Sequence, residues 1–136
     1  MDEFAKYKIK DYQYWSLSID QNQGYLGQCV VWCNRDDALD LAGATSEEVQ
    51  ELLAILKKII RALKKAFQPD RFNYAFLGNE TNHLHAHVIP RYASARQFNG
   101  MTFKDELWGR HYRTDNVSTP VNVLEKIRLH IQQNLE

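Results

Sequence analysis

Residues 83–90 read His-Leu-His-Ala-His-Val-Ile-Pro, with imidazole and apolar side chains in strict alternation over the first six. Successive side chains of a β-strand leave opposite faces, so this period of two fits a half-buried strand. His83, His85 and His87 then share one face, about 6.6–7 Å apart. Leu84, Ala86 and Val88 share the other. A chain containing this segment must place an apolar layer against one side and leave the histidine row facing solvent or a cleft.

The covering layer is readable too. Thr45 as N-cap, with Glu48 three residues on, makes a capping box. Val49, Leu52, Leu53, Leu56, Ile59, Ile60, Leu63 and Phe67 follow at helical spacing. Acidic Glu47, Glu48 and Glu51 lie near the helix start; Lys57, Lys58, Arg61, Lys64 and Lys65 lie toward its end, as the helix dipole favours. Such a charge run reads as a solvated face. Pro69 stops the helix.

Residues 12–19 alternate loosely and read as a strand, followed by turn residues Asp20 to Gly24. Tyr25 to Cys33 is a second, well-buried strand, closed by Asn34-Arg35-Asp36-Asp37. Residues 73–77 form a strand joined to the histidine strand (83–92) by Gly78-Asn79-Glu80-Thr81-Asn82. Residues 93–118 read as irregular. A last helix starts at Thr119 with Pro120 in its first turn, and Leu124, Ile127, Ile131 and Leu135 form its stripe. The expected class is α+β, with a mostly antiparallel sheet of about five strands, one long helix and a C-terminal helix.

The chain has 136 residues, which suits a single domain over 1–136. Lys plus Arg and Asp plus Glu number 17 each. That balance argues against a partner that is a nucleic acid polymer or a membrane surface, so any anionic ligand needs a local site. The N-terminus has acids where a signal peptide is basic, and no apolar run approaches a membrane span. Cys29 and Cys33 would lie about 13 Å apart on one strand face, too far to bridge. Buried thiols and a cytoplasmic location are expected.

Three readings of the histidine row compete: a polar sheet face, a three-histidine metal site, or nucleophilic and acid–base chemistry on a phosphate ester or anhydride. Three ligands in line on one strand converge poorly on a tetrahedron. The adjoining Gly78 loop, whose consecutive amides can form an anion nest, favours the phosphate reading. From the histidine row alone, metal and phosphate chemistry are close; a plain hairpin turn is the commoner reading of such a loop, and beside the row the anion cradle becomes the better one.

His83-x-His85-x-His87, followed by Val88-Ile89-Pro90-Arg91, resembles the signature of the histidine-triad (HIT) family. The resemblance runs from Trp15 to Tyr112, and the tail, with Phe103, Asp105, Trp108-Gly109 and Tyr112, is similar to that of small bacterial and archaeal members. It implies a HIT-like fold and a nucleotide hydrolase or transferase acting at the α-phosphate through a covalent nucleotidyl-histidine, with no metal or other cofactor in the covalent step. By position, His85 would be the nucleophile, His87 would contact the phosphate, and His83 would orient the site. Gly78 and Asn79 match a Gly-Gln pair of the phosphate loop, and Asp20 matches the acid that holds the ribose hydroxyls. Two positions often histidine in the family fall on Gln28, which still donates a hydrogen bond, and on Asp36. Glu80 stands where a small hydroxyl residue assists the leaving group; Thr81 supplies that hydroxyl if the loop is shifted by one. The resemblance also implies a homodimer joined edge to edge through its sheets. Tyr14, Trp15 and Leu17 are candidates for a base pocket or for core. Arg91, Arg96, Arg110, His111 and Arg113 are candidates for a second phosphate, with a solvated loop favoured for most. The alternatives to a hydrolase are a nucleotide-binding protein with little catalysis and a three-histidine metal protein.

Overall fold

The computed structural model describes residues 6–136. The fold is α+β, as the sequence indicates. Strands β1 (Lys8–Asp11), β2 (Trp15–Ile19), β3 (Cys29–Cys33), β4 (Arg71–Ala75) and β5 (His85–Arg91) form one sheet in the order β1-β2-β3-β5-β4. Every adjacent pair is antiparallel. Helix α1 (Ser46–Phe67) separates β3 from β4, and α2 (Val121–Asn134) ends the chain. Strands β6 (Arg96–Phe98) and β7 (Met101–Phe103) make a separate hairpin.

Alternation decides which face of the sheet is core. On β2, Trp15, Leu17 and Ile19 are buried and the two serines only half-buried. Opposed residues share a face, so Leu17, Val31 and Ala86 line up across the three central strands. Leu52, Ile55, Ile59, Ala62, Leu63 and Phe67 of α1 and Val123, Leu124, Ile127 and Ile131 of α2 are buried in the same cluster. The opposite face carries Val30, Trp32, His85 and His87.

Several expectations need correction. The first strand begins at Trp15 rather than residue 12, and β1 precedes it; its only buried side chain is Ile9, between lysines that suit an edge strand. The second strand starts at Cys29, because residues 20–28 form a loop, and β4 lies two residues earlier than expected. Val49 and Leu53 are 45% and 54% exposed, while Ile55, absent from the expected stripe, is buried. At 100° per residue, Val49, Leu53, Leu56 and Ile60 form a second apolar column beside the core stripe. Gln68 ends α1 in the left-handed conformation (φ 52°), one residue before Pro69. Pro120 rather than Thr119 occupies the N-cap of α2, without a side-chain cap. Residues 93–118 include the β6–β7 hairpin, turned at Asn99-Gly100 (φ 51° and 82°). Among the described residues no helix is long and apolar enough to cross a membrane.

The capping box forms as read, yet Glu48 does more than cap. Its carboxylate is 3% exposed and accepts from Thr45 N, from Arg35 Nε and Nη2, and from the Cys33 thiol. Trp15 Nε1 donates to the Glu48 carbonyl at 2.8 Å, fixing the helix start on β2. The Arg35 hydrogen bonds outweigh burial and hold the Glu48 carboxyl down, to about 2 from an ordinary 4.5. A depressed acid stabilises the fold above its unfolded value and loses that contribution as pH falls through the folded one. Urea midpoints should therefore drop between pH 4.5 and about 2. Glu48→Gln should lower the neutral-pH midpoint and flatten that slope; an unchanged slope would refute the assignment.

Candidate active site

The site grows from β3, β5 and the edge strand β4, with two loops. In register, His85 opposes Trp32 and His87 opposes Val30 across β3–β5, while Ala75 of β4 flanks His87. His83 lies just before β5, half-buried. Its Nε2 bonds the Cys33 carbonyl at 2.6 Å. His85 Nδ1 bonds the His83 carbonyl at 2.6 Å. A carbonyl only accepts, so Nδ1 carries the proton and the neutral ring keeps its lone pair on Nε2. Burial pushes the His85 imidazolium down from the usual 6.5, favouring the free base.

Trp32 is the site residue that the sequence did not single out. Its ring stacks on His85 at 4.5 Å and 22°, and His87 meets His85 edge-on at 5.0 Å. The indole walls one side of the imidazole from water, which is the geometric source of the burial. In Trp32→Leu, the His85 titration is expected to move up toward 6.5, read from its ring resonances by NMR. An unmoved titration would remove that role.

Asp20 and Gln28 meet at the other side of His87. Gln28 Nε2 donates to Asp20 Oδ2 at 3.0 Å, and Asn22 N donates to Oδ1 at 2.9 Å. His87 Nδ1 lies 3.3 Å from Asp20 Oδ2, yet it forms no aligned hydrogen bond although buried. Fully buried Gln23 stiffens this loop: its amide nitrogen bonds the carbonyls of Asp20 and Gln28, and its oxygen accepts from Gly27 N. Gly27 has φ 87°, and a Cβ there would sit 2.9 Å from Leu63 of α1. Only glycine fits.

The Gly78 loop joins β4 to β5 and so opens beside His83 and His85. Gly78 has φ 68°, the left-handed geometry that favours glycine. Asn79, Glu80 and Thr81 are exposed, and among the described residues no protein acceptor takes the amides of residues 79–82. Asp36 is exposed as well, and neither it nor Glu80 pairs with a histidine.

Other candidates belong to the fold. Trp15 and Leu17 are wholly buried in the core, and Tyr14 packs against it. Arg91 is buried, with all five N–H groups bonded inside the protein, so no donor remains for phosphate. Arg96 bonds the carbonyls of Phe67, Gln68 and Ser94, and Arg113 lies near Glu106 and Asp115. Arg110 and His111 are exposed. Cys29 and Cys33 are free and buried. Among the described residues no three His, Cys, Asp or Glu side chains gather as a metal site.

The sequence profile of the HIT domain matches residues 11–94, spanning β2 through the histidine row, and the chain belongs to that family. No curated protein matches it. Among solved structures, a histidine triad protein from Bradyrhizobium japonicum is 19% identical, with a TM-score of 0.72, covering 95% of this chain and 90% of its own. A histidine triad protein from Sinorhizobium meliloti is 20% identical, TM-score 0.72, covering 99% and 96%. A zinc-bound histidine triad family protein from Mycobacterium smegmatis is 22% identical, TM-score 0.58, covering 93% and 84%. At these identities the likeness is one of fold.

Proposed function

We propose that the protein hydrolyses nucleotides at the α-phosphate, on dinucleoside polyphosphates or nucleoside phosphoramidates, with His85 as nucleophile. The observation that carries this is the His85 tautomer: Nδ1 is committed to the His83 carbonyl, and the lone pair on Nε2 belongs to a ring that burial keeps neutral. Nε2 attacks phosphorus, the N–P bond forms, and the bond to the leaving group breaks. The leaving group departs with a proton from His87 Nε2. Water then attacks the adduct and returns a proton to His87; the N–P bond breaks, and the nucleoside monophosphate and free His85 are regenerated. Free amides at residues 79–82 suit the phosphoryl oxygens, and Asp20 suits the ribose hydroxyls.

The test is rapid acid-free quenching with adenosine phosphoramidate, followed by peptide mass spectrometry. An adenylyl group on the peptide bearing His85 is expected. Exposed Glu80, at the place of a leaving-group hydroxyl, favours the second reading of binding without turnover; that reading predicts saturable AMP binding and no adduct. The carbonyl bonds of His83 and His85 leave the other ring nitrogen of each free, so what tells against the metal reading is that, among the described residues, no three His, Cys, Asp or Glu side chains gather around an ion.

We further infer a cytoplasmic homodimer. The outer edge of β4 is unpaired among the described strands, and Tyr74, Leu77, Val49 and Leu53 are exposed apolar residues suited to cover. Light scattering during gel filtration should give twice the chain mass.

A further inference from the structure

We propose that Asp20 has a second task beyond the ribose: Gln28, Asp20 and His87 form a relay in which the carboxylate orients His87 against the phosphate. This rests on the hydrolase reading above. Three observations carry it. His87 Nδ1 is buried without an aligned partner, and the charged acceptor beside it is Asp20 Oδ2 at 3.3 Å. Gln28 Nε2 donates to that same oxygen at 3.0 Å, holding the carboxylate from the far side. The backbone on either side of the loop is fastened by Asp20 N to Gln28 O at 2.8 Å and by the buried Gln23 amide.

A carboxylate has about four lone-pair sites. Asn22 N occupies one on Oδ1, while Gln28 and His87 claim those of Oδ2. One site on Oδ1 remains for a ribose hydroxyl, so ribose binding and histidine orientation use different oxygens. A small rotation of the imidazole aligns Nδ1–H with Oδ2 and turns Nε2 toward the phosphoryl group. In the complex the ring carries both protons, one directed at the carboxylate and one at the substrate. The latter leaves with the departing group when its bond to phosphorus breaks, and water restores it. This is the carboxylate–imidazole logic of hydrolytic triads, in which the carboxylate orients the histidine that passes the proton. Gln28, where the family often has histidine, becomes the buttress of the carboxylate.

The test separates the two tasks of Asp20 by removing the ribose hydroxyls. Wild type, Asp20→Asn and Gln28→Met are assayed on adenosine phosphoramidate and on its 2′,3′-dideoxy counterpart. On the dideoxy substrate, Asp20→Asn is expected to lose kcat on the order of 10²-fold or more with KM little changed, since its amide can present the wrong group to Nδ1. Gln28→Met, which removes the donor to Asp20 Oδ2, should lose kcat in part on both substrates. If Asp20→Asn matches wild type on the dideoxy substrate, Asp20 serves only the ribose and the relay is wrong. Nitrogen-15 spectra of His87 give a readout independent of turnover: a proton fixed on Nδ1 in wild type, and redistribution toward Nε2 in Asp20→Asn. An unchanged tautomer would overturn the relay. Absence of wild-type turnover on every adenylylated substrate would instead overturn the hydrolase reading, with the spectra still deciding the relay.

Discussion

His85→Ala is expected to abolish turnover, with a loss on the order of 10⁴-fold or more, as for removal of a covalent nucleophile. AMP should still bind, because Asp20, Gln28 and the Gly78 loop stand on other elements. The pH behaviour of the wild type follows from burial of the ring. The conjugate acid of His85 titrates below the ordinary 6.5, so the acid limb of kcat/KM should lie below that value. The same depression has a stability consequence. Unfolded chain takes up a proton on His85 near 6.5 while the folded chain resists it, so stability falls as pH drops from 6.5 toward the lower folded value. His85→Ala lacks that contribution and should show a flatter stability profile over the same window. Full turnover by this variant would remove the nucleophile assignment, whatever its fold.

What could be read from the chain in advance was whatever is encoded locally. Alternation at His83–Val88 assigns the two faces of one strand, and Thr45 with Glu48 announces a helix start within four residues. Pairing between distant segments leaves no such mark. Trp32 sits in an apolar-rich strand, where an indole reads as core; only the register that sets it opposite His85 makes it part of the site. Gln23 reads as a turn residue, yet it is fully buried because its amide replaces backbone partners at both ends of the 20–28 loop. On α1 the two apolar columns are equivalent in sequence, and the sheet beneath chooses the one containing Ile55. Asp36 and Glu80 are singled out by position alone; both are exposed, and neither pairs with a histidine of the row. Arg91, beside the signature, looked like a phosphate ligand; its acceptors lie 14 to 19 residues away and could not be counted beforehand.

Those acceptors make Asp105→Ala the substitution with the largest expected effect on stability. Asp105 is buried and takes Arg91 Nε at 2.6 Å and Nη2 at 3.1 Å, a bidentate pair. It also accepts from the backbone amides of Tyr92 and Leu107. Alanine leaves the guanidinium charge buried without its counter-ion, which costs about 3–5 kcal/mol. For a chain of this size that is a fall in Tm of roughly 10–15 °C. The damage should spread toward the site, because the segment pinned by Arg91 through the Leu107 and Arg110 carbonyls continues to Tyr112. Tyr112 packs with Tyr25 over Ile89. Beyond it Arg113 N bonds Tyr25 Oη, and Asn22 Nδ2 bonds the Asp115 carbonyl. Loosening that segment slackens the loop carrying Asp20, so below its melting range Asp105→Ala should raise KM for nucleotides more than it lowers kcat. Replacing both partners by apolar residues, as in Arg91→Met with Asp105→Leu, removes the stranded charge and should recover much of the lost stability, though the carbonyls of Leu107 and Arg110 then lack their donor. Calorimetry on the three proteins decides the matter. If Asp105→Ala melts within about 3 °C of wild type, the loss is under roughly 1 kcal/mol, and the pair does not hold the segment in place.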